Sequence, residues 1–445
     1  MEWSILRETP PGESGRPTLT RPCLGSRVEA RYRTVSEPRL LEVLLLGGWA
    51  FEVEAGRHAE ALASTLTALD SWIELGLQYR RSERGERLYD PVEVLNFQKW
   101  AGLNGRDRFW IDRCVGTNRA LVRDWAETKR DGVSWPDGRS DAPFHVTLQR
   151  TFDVRNFERG AKLRLRMPMP LPGAYVREIE SVPVVSSDLR AEIFLSDGRM
   201  EARLAAFGEP FIEIGAEVSF IATPRPAGTV EQAGRLDPAK AEIYLRPIDG
   251  LIRITPKIRT LANFLAGPER GPWETVRTFW SYMIDELIPG MVHYDQVYPE
   301  APGDWVLESG WYDCQLGSAL FVSMCRARGI PARIISGHFL YRLAPTNHFW
   351  AEVWIDGQGW LPFDFLSWDL SAGGHDPEWR DHFAGTIDYR MVTQCLPQAF
   401  TGSMSVRLPP AWHMLHTRIG KGIEISMVGL DGSLAYRDRV TVHAR

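Results

Sequence analysis

The sequence predicts an α+β protein of several domains, and three observations carry that prediction. The chain has 445 residues, more than one ordinary core takes up. Its hydrophobic period changes from helical spacing before about residue 130 to strict alternation between 143 and 224. Beyond residue 309, a helix pattern runs into three strand patterns, as in a helix packed on an antiparallel sheet.

Taken in order, residues 1–37 are rich in Pro, Gly and Arg and read as irregular. From 38 to 130 the pattern is helical. Leu62, Leu66, Leu69 and Ile73 recur at helix spacing, and "DPVEVLNFQKW" offers Asp90 as an N-cap with Pro91 in the first turn. Cys114, in the helical stretch after residue 107, reads as a core residue. "DGVSWPDGRSDAP" is a linker. Residues 143–224 then alternate apolar and polar, and "SDGR" at 196–199 marks a hairpin, so this segment is a small β-sandwich-like domain. After a second linker, residues 240–445 form the last unit, with helices over 254–289 and strands closing the chain.

Composition narrows the function classes. Hydrophobic residues make up 44% and charged residues 24%, which are globular values. The net charge of −5 argues against nucleic-acid or anionic-membrane partners. The five cysteines form no disulfide framework and no CxxC pair, so neither a disulfide scaffold nor structural zinc is expected. "MEWSILRETPPGESGRPTL" lacks a signal-peptide core, and "VLLLGGWAF", the longest apolar run, is far short of the ~20 residues that span a bilayer. The expectation is a cytoplasmic protein.

The stretch "SGWYDCQLGSALFVSMCRARGIPARIISGHF" (309–339) holds Cys314 and Cys325. Leu316, Leu320, Met324 and Ala327 fit one helical face, and Gly329 stands where a C-terminal cap belongs. Cys314 therefore opens a helix, where free N–H groups favour a thiolate, the reactive form of cysteine. Cys325 lies three turns in and reads as core. A strand beginning at His348 turns at Asp356–Gly357 and returns to Asp364. Period two puts His348, Trp350, Glu352 and Trp354 on one face, and the hairpin brings His348 beside Asp364. Cys314, His348 and Asp364 are thus a candidate nucleophile, base and orienting acid. His338 is a second, weaker candidate base. His375 and His382 in "GHDPEWRDHF", and His413 and His416 in "WHMLH", fit no metal motif and read as surface or packing residues. No metal or cofactor is expected, and no phosphate loop, GxSxG or HExxH occurs.

These motifs together resemble the transglutaminase-like superfamily. A Cys opens a helix, "RARGIPAR" leads into a strand, "HFWAEV" follows, and then come Gly-Trp and an Asp. The resemblance implies a papain-like fold, with Cys314 as nucleophile, His348 as base and Asp364 as orienting acid. Two departures stand out: "WYDC" precedes the helix, and Phe365 rather than Pro follows Asp364. The implied chemistry is an acyl-thioester on Cys314, with its backbone N–H as one oxyanion donor and Trp280, Tyr282 or Tyr294 as the second. Attack by an amine makes an amide, and attack by water makes a peptidase or amidase. The Trp-rich flanks, with Trp311, Trp350, Trp354, Trp360 and Trp368, lean towards amide formation by shielding the thioester from water. The expected partners are an acyl donor (a peptide, protein or carrier-protein thioester) and an amine, with region 38–130 serving recognition or bracing the core. A non-catalytic interaction module is the remaining alternative.

Overall fold

The structure is a computed structural model. It describes residues 34–37, 40, 69–90, 93–94, 96–97, 141–155, 157–185, 190–196, 198–224, 234–290, 292, 296–298, 300–340, 345, 347–367, 383–396, 412–415, 423–427 and 436–443. Cys23, Cys114, Tyr294, Trp368, His375, His382 and His416, and most of region 38–130, lie outside the described residues.

The alternating segment folds into two facing antiparallel sheets. One contains β1 (Ala142–Asp153), β3 (Val176–Val185) and β6 (Phe211–Ala222); the other contains β2 (Lys162–Pro168), β4 (Glu192–Ser196) and β5 (Arg199–Ala205). Period two explains the packing. Val146 and Leu148 of β1 point inward to meet Leu163, Leu165, Ala202 and Ile214, while His145 and Thr147 point outward. Ser196 pairs with Arg199 across the expected two-residue turn, where Gly198 takes φ 71°.

The unit after the second linker carries α1 (Pro238–Tyr244), α2 (Pro256–Ala266), α3 (Pro272–Glu286), α4 (Pro302–Ser309) and α5 (Cys314–Ala327). Its sheet runs in the order β9 (Gly359–Phe363), β8 (Asn347–Ile355), β7 (Ala332–Phe339), β10 (Arg390–Leu396). Among the described residues no helix is long and apolar enough to cross a membrane.

Helix α5 is buried along its length rather than on one stripe, since every residue from Leu316 to Arg326 is buried. It is the central helix of this unit. Gly329, at φ 71°, completes the expected C-terminal cap: its N–H donates to Arg326 O, and the Ile330 N–H reaches back to Cys325 O at 3.0 Å. The sheet divides its side chains between two neighbours. Ala332, Ile334, Ala351, Val353 and Ile355 join the helical core. Ile335, Trp350, Met391 and Val392 join the core of the β domain, which therefore packs on the sheet's other face.

Two boundaries differ from the sequence reading. The last strands, β11 (Trp412–Leu415), β12 (Ile423–Met427) and β13 (Tyr436–Val442), extend the β-domain sheet, with β13 pairing to β1 from Tyr436–Phe152 to Val442–Val146. They do not belong to the unit starting at 240. The described part of 38–130 also contains strands, at Arg80–Arg81 and Arg87–Tyr89, beside its helical turns, and Arg87–Tyr89 pairs in addition with Val35–Ser36 of the segment before it. Its apolar residues Leu69, Trp72, Tyr89 and Phe97 pack with Ile288 and Trp311. This part shares a core with the chain just ahead of Cys314 instead of forming a separate one.

Candidate active site

Cys314 is the first residue of α5. Asp313 caps the helix, its carboxylate accepting from the Leu316 N–H at 2.8 Å. Gly317 is required one turn on, because a Cβ there would stand 2.4 Å from the Tyr312 ring. The thiol is partly exposed. Burial nevertheless raises its pKa well above the ordinary value, the Asp313 and Asp364 charges add to the rise, and hydrogen bonds from the Phe349 and Gln315 backbones oppose it. The thiolate expected from a helix N-terminus is thus outweighed, and the resting group is a thiol that needs a base. Cys325 is fully buried and its thiol is pushed up by burial, as a core residue's would be.

His348 is the second residue of β8, opposite Gly337, and Phe349, the residue beside it, is the one whose N–H meets the Cys314 sulfur. β8 and β9 pair Ala351 with Phe363, so Asp364 falls level with Trp350 rather than His348. The two residues meet diagonally, on the shared face, with His348 Nε2 2.8 Å from Asp364 Oδ1. Both are wholly buried. The Nδ1 atom of His348 is buried with no hydrogen-bond partner. With Nε2 held by a carboxylate, Nδ1 is the ring nitrogen able to take a proton.

Asp364 is fixed from several sides. The chain turns after β9, so that Ser367 donates its N–H to Oδ1 at 2.9 Å and its hydroxyl to Oδ2 at 2.7 Å. Arg390 reaches across from β10 with Nη2 3.1 Å from Oδ2, and also donates to the Ser367 hydroxyl at 2.9 Å. Burial pushes the Asp364 carboxyl up, but His348, Arg390 and Ser367 outweigh it and hold it well below the usual carboxylate range. The Phe339 ring stacks 4.4 Å from His348 and lies 4.3 Å beneath the Arg390 guanidinium. Ser367, Arg390 and Phe339 were missed in the sequence. The signal available was the charged "DYR" inside the apolar run 383–396.

The departure at Phe365 has a packing reason. Its ring is buried against Trp280 at 4.9 Å and Phe321 at 5.0 Å, so it anchors the turn that presents Asp364. Trp280 and Tyr282 both belong to this core. His338 lies apart from the pair: its charged neighbours are Asp438 and Arg150 of the β domain, and burial lowers its pKa to about 4. The tryptophans do not form one screen. Trp311 packs with the N-terminal region and Trp350 with the β domain, while Trp354 and Trp360 meet edge to face at 5.6 Å beside Tyr244 and Arg333. His413 sits in strand β11, as expected of the strands that close the chain.

No curated protein matches the sequence. Three solved structures are similar: a candidate cysteine protease from Cytophaga hutchinsonii (16% identity over 57% of this chain and 81% of that one, TM-score 0.41), the periplasmic domain of TgpA from Pseudomonas aeruginosa (18%, 52% and 90%, 0.28), and a candidate protease from Parabacteroides distasonis (12%, 67% and 69%, 0.23). Residues 259–365, from within α2 to Phe365, match the model of the transglutaminase-like superfamily core. The helix bearing Cys314 and the hairpin bearing His348 and Asp364 both lie within this match, and the chain thus carries a transglutaminase-like core.

Proposed function

We propose that this protein is a cysteine acyltransferase that forms an amide through an acyl-thioester on Cys314. The observation carrying the reading is the His348–Asp364 pair, wholly buried at 2.8 Å, with Nδ1 uncommitted beside the strand residue that contacts the thiol. His348 Nδ1 takes the Cys314 proton as sulfur attacks the acyl carbonyl. Asp364 steadies the imidazolium, and the Cys314 N–H receives the oxyanion. The leaving group departs with the proton from His348. An incoming amine then gives its proton to His348 as it displaces sulfur, so the thiol is regenerated and the amide released. The acyl donor in this reading is a peptide, protein or carrier-protein thioester.

Intact-protein mass spectrometry with acyl thioesters, with and without added amine, tests the reading. An acyl adduct is expected in the native protein and not in Cys314→Ala, with amide product appearing on amine addition. Free acid as the sole product, amine present, assigns a hydrolase instead. Absence of any adduct across donor classes removes the enzyme reading.

A further inference from the structure

A second histidine–carboxylate cluster lies on the outer face of the β domain, built from three neighbouring strands. His145 and Thr147 project from β1, alternating with the inward-facing Phe144, Val146 and Leu148. On β6, Glu217 stands opposite Thr147 and Ser219 opposite His145. His443, just past β13, donates its backbone N–H to His145 O at 3.0 Å, which brings its ring to the same spot. The imidazole rings lie 4.8 Å apart. Glu217 Oε2 is 3.1 Å from His145 Nε2 and 3.8 Å from His443 Nε2.

We propose that His145, Glu217 and His443 bind one divalent transition-metal ion of the zinc type. The donor set is two imidazoles and one carboxylate, which suits zinc and its neighbours rather than calcium or magnesium. The spacing also fits. Donors ~2.0–2.2 Å from a tetrahedral zinc stand about 3.3–3.5 Å apart; the two histidine–carboxylate separations, 3.1 and 3.8 Å, bracket that, and all three donor atoms lie within 4.8 Å of one another. An orienting partner is present for one ring: Ser219 Oγ is 3.1 Å from His145 Nδ1, so Nδ1–H can donate there while Nε2 presents its lone pair to an ion. Thr147 Oγ1 now bonds the Glu217 oxygens at 2.8 and 2.9 Å and lies 2.6 Å from His443 Nε2. It is placed to serve as the fourth oxygen or to yield that position to water. Binding uses the lone pairs of the neutral imidazoles and would tie the end of the final strand to β1 and β6, more than 200 residues earlier in the chain, a clip on the β-domain sheet remote from Cys314.

The test is a titration of the full chain, freed of metal with EDTA, using Zn²⁺ by calorimetry and Co²⁺ by visible absorption. One equivalent is expected to bind. His145→Ala, His443→Ala and Glu217→Gln should each weaken it at least ~100-fold, and Ser219→Ala by ~10-fold, within the range that outer-shell losses cost. Zn²⁺ should raise the Tm of the native protein and not of the triple variant. Cys314→Ala must keep the site, which separates it from adventitious binding at the thiol. Each ligand is about half exposed, so the substitutions spare the core. No binding by the native protein, or binding that survives the triple variant and vanishes in Cys314→Ala, overturns the proposal and leaves the cluster a cross-strand hydrogen-bond network.

Discussion

Two histidine–carboxylate pairs in this molecule are nearly alike in distance and opposite in setting. His348 and Asp364 stand 2.8 Å apart with no solvent exposure, and Ser367 and Arg390 complete the carboxylate's partners. His145 and Glu217 stand 3.1 Å apart with both side chains well exposed. The first pair cannot separate without stranding charge in the protein interior, so its geometry is fixed. The second is held loosely, is screened by water, and is open to an outside ligand. Burial, more than the identity of the two residues, decides which becomes an orienting device.

The largest expected consequence concerns the buried pair. Asp364→Asn should cut turnover by about 10²–10⁴ with the fold retained, because an amide holds the ring in the wrong tautomer; unchanged kcat would remove Asp364 from the mechanism. Arg390→Met should cost roughly 3–5 kcal/mol in urea unfolding, the usual cost of breaking a buried pair. A loss below ~1 kcal/mol would mean that Ser367 and His348 suffice for Asp364.

Acid should separate the two pairs as well. Asp364 has a folded-state pKa below its unfolded value, so its stabilisation is complete above the unfolded carboxylate range, near pH 4, and is lost as pH falls through the folded value. Stability measured from pH 5 downward should therefore fall less steeply in Asp364→Asn than in the native protein. Equal slopes would contradict the assigned depression.

Next comes Asp313, whose carboxylate caps α5 while opposing the thiolate. Asp313→Ser keeps a capping oxygen and removes the charge, so the pH midpoint of iodoacetamide labelling at Cys314 should move down. No movement would show that burial alone sets it. The smallest effect belongs to the exposed pair: without metal, Glu217→Gln should change stability by less than about 1 kcal/mol. A cost several times larger would erase the contrast between the two sites.

The hairpin bearing His348 and Asp364 was legible because its information is local. Helix start, glycine cap, turn residues and strand alternation all act within about 50 residues, and each is specified by side chains adjacent in sequence. The hairpin reading set His348 beside Asp364, and the pairing makes them diagonal neighbours, Asp364 standing level with Trp350 two residues along. Helix α5 was read as one-sided because its first apolar stripe is regular, although tertiary neighbours cover every side.

What the sequence by itself determined is the order of elements, the alternation of the β domain, the capped helix opened by Cys314, and the pairing of His348 with Asp364. What only the tertiary structure decided is everything that joins distant segments. Arg390 reaches Asp364 because β10 pairs with β7, and β13 closes the sheet that β1 began. The thiol's raised pKa comes from the protein mass and charges gathered around it, which a helix-terminus argument cannot contain. His145, Glu217 and His443 share no motif spacing, and a search for metal motifs passes over them. Backbone pairing of three strands brings them together, and strand pairing is a property of the folded sheet, not of any short stretch of chain.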